Sequence, residues 1–287
     1  MKRKSGSLAP AAAAGVITLT DERTVNRMGF GAMRLTGQGI WGEPQDPDEC
    51  KRVLRRALEL GVNFIDTADS YGPEVSERLI AEALYPYPED LVIATKGGQI
   101  RPGPGMWEPD GRPEHLRAAC EGSLRRLRLN TIDLYQFHRP DPKVPFDESL
   151  GAIINLRNEG KIKAIGVSNV TMDHLELAIQ MTEIVSVQNR YNVGDRQSED
   201  VLDFCTQLGI AFLPWAPVGH GQIDTPQVLE LARRKGVTPS QLALAWLLHR
   251  SPIMLPIPGT SKVNHLEENI AAAAIKLDRT EAQAIAA

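Results

Sequence analysis

The sequence that decides the fold is Phe64-Ile65-Asp66-Thr67-Ala68-Asp69-Ser70-Tyr71-Gly72. It starts as an apolar, strand-forming run and changes into a polar turn that ends at a glycine. Asp66 stands where the strand should end, and Tyr71 follows in the turn. Two other apolar runs end in the same way, in Thr95-Lys96-Gly97-Gly98 and in Gln136-Phe137-His138-Arg139-Pro140. If the fold brings these three strand ends together, their ionisable side chains can form one proton-transfer site.

Strand and helix patterns alternate along the chain. Asp46-Pro47-Asp48-Glu49 and Thr238-Pro239-Ser240-Gln241 each combine an N-cap, a proline and a capping-box residue ahead of an apolar stripe. Because the alternation has no break in composition, the sequence predicts an α/β fold, a single (βα)8 TIM barrel preceded by a β-hairpin that turns at Asp21-Glu22-Arg23. The predicted barrel strands are Gly29–Met33, Val62–Asp66, Leu91–Thr95, Ile132–Phe137, Ile162–Val167, Ile184–Gln188, Ile210–Pro214 and Ile253–Ile257.

An open, doubly wound sheet is the alternative architecture. The turn after the first strand reads Gly29-Phe30-Gly31-Ala32-Met33-Arg34 and lacks the G-x-G-x-x-G fingerprint that opens a helix in such folds. We therefore favour one barrel domain over residues 16–287. Residues 1–15, which are basic and then alanine-rich, are interpreted as a disordered leader rather than a signal peptide.

Composition excludes several classes of function. The net charge of −4 argues against a nucleic-acid partner, and no apolar run approaches the about 20 residues that cross a bilayer. The three cysteines, Cys50, Cys120 and Cys205, lie far apart and form no CxxC pair, so we expect no metal site and no disulfide framework. These features predict a cytoplasmic protein, either a monomer or a weak homo-oligomer, that acts on a small molecule.

Four ionisable residues should meet at the carboxyl ends of consecutive barrel strands: Asp66, Tyr71, Lys96 and His138. Taken singly, each has an ordinary explanation as a turn cap, a packing residue, a solvated loop residue or a structural hydrogen-bonding group. Together they suit protonation of a developing alkoxide, with the tyrosine as acid, a lysine that lowers its pKa, an aspartate that orients the lysine and an imidazole on the same oxygen. Hydride transfer to a carbonyl is the natural reaction, and the hydride must come from a cofactor.

The motifs together resemble the aldo-keto reductase family, whose members are NADPH-dependent (βα)8 barrels. This resemblance implies that Tyr71 is the general acid, that Lys96 and Asp66 tune it, and that His138 orients the carbonyl. The motifs that carry it run in order over nearly the whole chain: FIDTADSYG (64–72), ATKGG (94–98), LYQFHRPD (134–141), GKIKAIGVSN (160–169), VQNRYN (187–192) and PIPGTSKVNHLEEN (256–269).

The resemblance also implies an NADP(H) site on the first strand and the later strands. Ser168, Asn169 and Gln188 would hold the nicotinamide carboxamide, and Trp215 would stack on the ring. Further residues, near the nicotinamide, the phosphates or the adenine, are Gly31, Met33, Arg34, Asp66, Ala216, Pro217, Val218, Gly219, Gly221, Gly259, Thr260, Ser261, Lys262, His265, Glu268 and Asn269.

Two departures from the family pattern bear on specificity. Many members carry cations where Gly259 and His265 stand here, so Lys262 is the cation expected at the 2′-phosphate, and the preference for NADPH over NADH should be modest. The chain also ends without the long C-terminal loop of some members. The loops that contain Trp41 and Trp107 should therefore form the substrate pocket. Segments 83–87 and 153–166 resemble a bacterial branch that includes pyridoxal reductases, which makes pyridoxal one possible substrate.

Two other functions compete with carbonyl reduction. A Schiff-base lyase or aldolase would use Lys96 as nucleophile, but it would leave Trp215 and residues 259–269 without a role. A non-catalytic, NADP-binding regulatory barrel is the second alternative, because fold does not dictate function. The complete set of four ionisable residues favours an enzyme.

Overall fold

An antiparallel hairpin precedes the barrel, as predicted. The computed structural model describes residues 9–219 and 225–286. In it, β1 (Val16–Thr20) pairs with β2 (Arg23–Asn26). The backbone N–H of Asn26 donates to Oδ1 of Asn63, just before a barrel strand begins. The hairpin therefore lies at the amino ends of the strands, on the side of the barrel away from the predicted site.

The segment before the hairpin corrects the predicted leader. Pro10–Ala14 forms a 3₁₀ helix, Ala11 is fully buried, and its N–H donates to the carbonyl of Leu60 at 3.0 Å. A Cβ at Gly61 would lie 2.6 Å from Cβ of Ala9, so a glycine and short alanines allow the two segments to touch. Alanine loses no side-chain entropy on burial. Residues 9–15 thus belong to the packed domain, and residues 1–8 lie outside the described part.

Nine strands follow the hairpin among the described residues. They are β3 (Phe30–Gly31), β4 (Phe64–Asp66), β5 (Val92–Gly97), β6 (Gln99–Ile100), β7 (Glu108–Pro109), β8 (Ile132–Phe137), β9 (Ile162–Ser168), β10 (Ser186–Gln188) and β11 (Ala211–Phe212). Seven of them form one parallel sheet in the order β11-β10-β9-β8-β5-β4-β3. A separate antiparallel pair, β6 with β7, lies in the segment predicted as the Trp107 loop.

The eighth predicted strand closes the barrel without becoming a regular strand. Phe212 N–H donates to the carbonyl of Ile253 at 2.9 Å, and Leu255 N–H donates back to that of Phe212. On the other side, Gly29 N–H donates to the carbonyl of Pro256 at 2.9 Å. Segment 253–258 therefore joins both edges of the sheet and confirms the (βα)8 barrel. Proline has no N–H, so Pro256 and Pro258 interrupt the ladder.

Helices cover the outside of the sheet, and their caps follow the sequence signals. Asp46 accepts from the N–H of Glu49 at the start of α1, and Thr238 and Gln241 form the predicted capping box of α8. Both helices that precede the eighth strand, α7 and α8, follow β11. The helices are α1 (Pro47–Glu59), α2 (Val75–Leu84), α3 (Pro113–Leu127), α4 (Phe146–Asn158), α5 (Met172–Met181), α6 (Glu199–Leu208), α7 (Pro226–Lys235), α8 (Pro239–Arg250), α9 (Val263–Ala271) and α10 (Arg279–Ala286), with 3₁₀ helices at Ala32–Leu35 and Ala272–Ala274.

Two observations concern membranes and metals. Within residues 9–219 and 225–286, none of the helices has the length and apolarity needed to cross a membrane. The same residues contain no group of three or more His, Cys, Asp or Glu side chains that could hold a metal ion. Cys50, Cys120 and Cys205 are buried as free thiols.

Candidate active site

The carboxyl ends of neighbouring strands bring the four predicted residues together. Lys96, which is fully buried near the end of β5, donates from Nζ to Oδ2 of Asp66 at 2.7 Å. The same ammonium donates to Oη of Tyr71 at 3.1 Å and to the carbonyl of Thr67 at 2.9 Å. His138 follows β8, and its ring lies edge-on to the Tyr71 ring, with 5.8 Å between the centroids. These contacts form one continuous polar cluster at the mouth of the barrel.

The pair of Lys96 and Tyr71 holds its protons at neutral pH. Burial alone would lower the pKa of Lys96, but the Asp66 carboxylate and the hydrogen bonds outweigh it, so the pKa is raised above its ordinary value. For Tyr71, burial raises the pKa and the Lys96 cation opposes it, with a net rise. We expected the lysine to lower the tyrosine pKa overall. Its effect has that direction, but the loss of solvation is larger.

The second oxygen of Asp66 is bound by two amides. Gln136 and Gln188 both donate from Nε2 to Oδ1, at 2.9 and 2.8 Å. Gln136 was not among the predicted site residues. It stands two residues before His138 on β8, and this period-two spacing, which puts both side chains on one face, was the signal available. With Lys96 on its other oxygen, Asp66 is fixed in one orientation.

His138 is a neutral imidazole. Burial, Lys96 and Arg139 together lower its pKa well below the ordinary value. Its Nδ1 lies 3.4 Å from Oγ of Ser70, a contact that sequence reasoning did not anticipate. A neutral imidazole carries a single N–H, so it can donate one hydrogen bond to a substrate oxygen without adding a charge to the site.

Two tryptophans, the residues predicted to line the substrate pocket, lie close to this cluster. Trp107 lies edge-on to Tyr71, with 6.3 Å between ring centroids, and 6.5 Å from the ring of His138. Trp41 pairs with Gly72 in a parallel bridge directly after the tyrosine. The β6–β7 hairpin carries Trp107 and the 3₁₀ helix Ala32–Leu35 precedes the Trp41 loop. Trp41 and Trp107, here called the aromatic wall, therefore lie beside the polar cluster.

Asp69, the other carboxyl of the turn, takes no part in the cluster. Its Oδ1 is buried and has no hydrogen-bond partner among the described residues. Burial first, and then the Glu77 carboxylate, raise its pKa well above the ordinary value, although Arg126 opposes this. Glu77 itself is compensated, because Arg126 and Thr95 both donate to it at 2.6 Å. Asp69 is therefore a poorly solvated carboxyl in the turn that carries Tyr71.

We expect Asp69→Asn to raise the free energy of unfolding at neutral pH by about 1 kcal/mol. The pKa of Asp69 is higher in the folded protein than in the unfolded protein, so ionisation of this carboxyl lowers the free energy of unfolding. This destabilisation is absent below about pH 4, where Asp69 is protonated in both states, and it is complete above the folded-state pKa. Urea unfolding of both proteins between acid and neutral pH measures this. A difference that grows as the pH falls would contradict the assignment.

The residues predicted to hold the nicotinamide adjoin this polar cluster. Asn169 donates to the carbonyl of His138 at 3.0 Å and accepts from Nε1 of Trp215 at 3.1 Å. Ser168 donates to the backbone of Gln188 at 2.8 Å, and the Gln188 amide is already bound to Asp66. The structure thus brings these four residues into one wall beside Asp66, Tyr71, Lys96 and His138, here called the tetrad.

The predicted phosphate residues lie around a close backbone crossing. A Cβ at Gly259 would lie 2.4 Å from the carbonyl oxygen of Gly31, so a cationic side chain cannot stand there. The same Cβ would lie 3.7 Å from Cγ of the exposed Arg34, whose neighbour on the 3₁₀ helix is Met33. The segment formed by Thr260, Ser261 and Lys262 leads directly into α9, which contains His265, Glu268 and Asn269.

The remaining predicted nucleotide residues are placed in part. Ala216, with a φ of 52°, starts a turn in which Gly219 N–H donates to the Ala216 carbonyl at 3.0 Å; Pro217 and Val218 lie between them. Gly221 lies outside the described residues. Oε1 of Glu268 accepts from Oγ1 of Thr238 at 2.6 Å, so this carboxylate is bound to α8.

The geometry agrees with comparison to known proteins. Residues 27–287 match the family model described as the Aldo/keto reductase family. The chain belongs to this family. Family membership confirms the resemblance drawn from the sequence motifs and makes the protein an oxidoreductase.

Relatives of this aldo/keto reductase come from bacteria and eukaryotes. An uncharacterized oxidoreductase of Schizosaccharomyces pombe is 52% identical over 278 residues, which are 96% of this chain and 90% of that protein. The pyridoxine 4-dehydrogenase of Escherichia coli is 42% identical over 263 residues, which cover 89% of this chain and 92% of that enzyme. The latter agrees with the predicted similarity to a pyridoxal-reducing branch.

Solved structures show the same barrel. An aldo-keto reductase from Klebsiella pneumoniae in complex with NADPH has a TM-score of 0.80 and 25% identity, covering 94% of this chain and 93% of that one. The glycerol dehydrogenase of Gluconobacter oxydans has a TM-score of 0.83 and 28% identity, covering 95% and 94% of the two chains.

Proposed function

We propose that this aldo/keto reductase uses NADPH to reduce a small aldehyde or ketone to the alcohol, with Tyr71 as the general acid. The observation that carries the proposal is the position of Lys96 Nζ, 2.7 Å from Asp66 and 3.1 Å from Tyr71 Oη in a buried cluster. This contact places the Lys96 ammonium beside the Tyr71 hydroxyl, where its positive charge can stabilise the phenolate that forms when the proton leaves.

The four residues divide the work around the carbonyl oxygen. The reduced nicotinamide supplies the hydride when the cofactor is bound. Tyr71 donates its proton to the oxygen on which negative charge develops, and Lys96 stabilises the resulting phenolate. Asp66 keeps Lys96 charged and in place, and the two glutamines hold Asp66. Neutral His138 orients the carbonyl through a hydrogen bond without drawing a negative charge to itself.

The residues at the start of α9 fit a nucleotide phosphate. This helix has no acidic residue in its first turn and no side-chain cap, and its N-cap residue Lys262 is exposed. One N–H is taken, because Val263 donates to Oε1 of Glu49 at 3.2 Å. The Glu49 carboxylate lies close to this phosphate site, and Gly259 has no side chain that could carry a cation. For both reasons we expect only a modest preference for NADPH over NADH.

Lys262→Gln tests the cofactor assignment. We expect the KM for NADPH to rise about five- to tenfold and the KM for NADH to stay nearly constant, since a charge-assisted hydrogen bond to the 2′-phosphate is lost. Initial rates with both cofactors measure this. Lys276→Gln removes an equally exposed cation beyond α9 and is the control. Equal changes with the two cofactors would overturn the assignment.

The aromatic wall supports flat carbonyl substrates, among them pyridoxal. The rings of His138 and Trp107 both lie edge-on to that of Tyr71, and one relative is a pyridoxine 4-dehydrogenase. The direct test is NADPH oxidation with a panel of aldehydes that includes pyridoxal, benzaldehyde and propanal. Turnover of none of them with either cofactor would refute carbonyl reduction.

The two alternatives lose support from the site. A Schiff-base lyase needs a neutral lysine, whereas Lys96 is tied to Asp66 and its pKa is raised. Borohydride trapping of a carbonyl compound on Lys96 would support the Schiff-base lyase instead. A purely regulatory barrel has no need of a lysine bound to both Asp66 and Tyr71 with His138 beside them. Cytoplasmic location and a monomeric or weakly associated state stay predictions.

A further inference from the structure

Arg101 is a buried arginine to which the mechanism above assigns no role. It follows β6 in the connection from β5 to α3, and only 8% of its surface is exposed. Among the described residues it forms no ion pair; every hydrogen bond that it donates goes to a backbone carbonyl. Burial lowers its pKa below the ordinary arginine value. A buried cation without an acidic partner is costly, so the surrounding carbonyls have to be held in place to solvate it.

The carbonyls that it binds belong to three separate segments around the pocket. Nη2 and Nη1 donate to Gly39 and Ile40 at 2.8 and 2.7 Å, in the loop that carries Trp41. Nε donates to Met106 at 2.7 Å, next to Trp107. Nη1 also lies 3.3 Å from the carbonyl of Ser70, the residue before Tyr71.

The face of the guanidinium is used as well. Cζ of Arg101 lies 3.6 Å from the centroid of the Trp107 ring and 5.9 Å from that of Trp41. These distances allow cation–π attraction to both indoles. The loops also meet directly, since Gly105 N–H donates to the Gly39 carbonyl at 3.1 Å. The guanidinium of Arg101 thus sets the spacing between the Trp41 loop, the Trp107 loop and the turn that carries Tyr71, here called the catalytic turn.

We propose that Arg101 is a positioning residue that fixes the Trp41 and Trp107 loops against the catalytic turn and thereby determines binding of ring-bearing aldehydes. The proposal rests on the proposed carbonyl reduction. Lysine cannot replace the arginine, because an ammonium lacks the planar fork that reaches several carbonyls while lying on an indole. Arg101 donates no hydrogen bond to any of the predicted nucleotide residues, so cofactor binding should not depend on it.

The kinetic test compares Arg101→Lys and Arg101→Gln with the wild type, using benzaldehyde and propanal as probes. We expect the KM for benzaldehyde to rise about tenfold in both variants, with kcat lowered less than about threefold. For propanal, which is too small to use the aromatic wall, kcat/KM should stay within about threefold, as should the KM for NADPH. Equal losses with both aldehydes would overturn the positioning role.

Arg112→Gln is the matched control. Arg112 lies at the end of the same connection and loses the same charge, but it is exposed and pairs with Asp110 and Glu114. We expect this variant to match the wild type with both aldehydes. Recovery of benzaldehyde binding in Arg101→Lys, where the charge is retained, would show that charge alone matters and would overturn the geometric argument.

Hydrogen exchange separates this proposal from the proposed function. The amides of Ile40, Gly42, Gly105 and Met106 all donate to carbonyls in or beside these loops. In Arg101→Gln we expect segments 37–42 and 103–108 to exchange together, about tenfold faster, while α3 is unchanged. If the wild type reduces no aldehyde but these segments exchange faster in Arg101→Gln, the proposed function fails, while the positioning of the loops by Arg101 is supported. Unchanged exchange, or failure of both variants to fold, would refute the positioning role.

Discussion

Replacement of Tyr71 with phenylalanine should lower kcat for aldehyde reduction by about 10²- to 10⁴-fold, the usual contribution of a positioned general acid. The hydroxyl is the group that Lys96 contacts at 3.1 Å, and phenylalanine keeps the ring that packs beside His138 and Trp107. Only the proton donor is removed. Initial rates of NADPH oxidation measure the loss, and fluorescence titration should show that NADPH binds as it does to the wild type.

Tyr85→Phe is the control for this experiment. Tyr85 is half exposed and lies outside the cluster, after the end of α2, so its variant should keep wild-type rates. If Tyr71→Phe reduced aldehydes as fast as the wild type, the proton would have to come from another group and the proposed mechanism would be wrong.

Asp66→Asn should lower kcat/KM by about 10²- to 10³-fold. The carboxylate is the anion that keeps Lys96 protonated despite complete burial, and an amide carries no charge. Without it, the pKa of Lys96 falls and the tyrosine loses its cation. We therefore also expect the alkaline limb of the kcat/KM profile to move to lower pH. Rate measurements across pH, with circular dichroism to verify folding, test both effects.

Asp69→Asn is the matched control, because it makes the same chemical change three residues along the same turn. The Asp69 carboxyl does not contact Lys96 through a hydrogen bond, so turnover should fall far less than in Asp66→Asn. Equal losses of activity in two stably folded variants would mean that the wrong carboxylate has been assigned to Lys96.

Much of the site could be predicted because barrel topology converts strand ends into neighbours. Asp66, Lys96 and His138 are far apart in the chain, yet each ends a strand, and the parallel register places those ends at one face. The two places where the structure departs from the predicted fold have local physical causes. Segment 253–258 lacks regular strand structure because its prolines cannot donate, and residues 9–15 pack because alanines fit against Gly61.

Period and spacing in the sequence predicted the hairpin and the barrel, and also that Asp66, Tyr71, Lys96 and His138 would meet at one face of the barrel. Only the tertiary structure decided that Gln136 and Gln188 share one oxygen of Asp66 and that Arg101 joins three segments. It also decided that Oδ1 of Asp69 is buried without a hydrogen-bond partner among residues 9–219 and 225–286. The reason is that periodicity predicts which face a side chain lies on. Which atoms meet across the barrel mouth depends on closure of the sheet and on the paths of its loops.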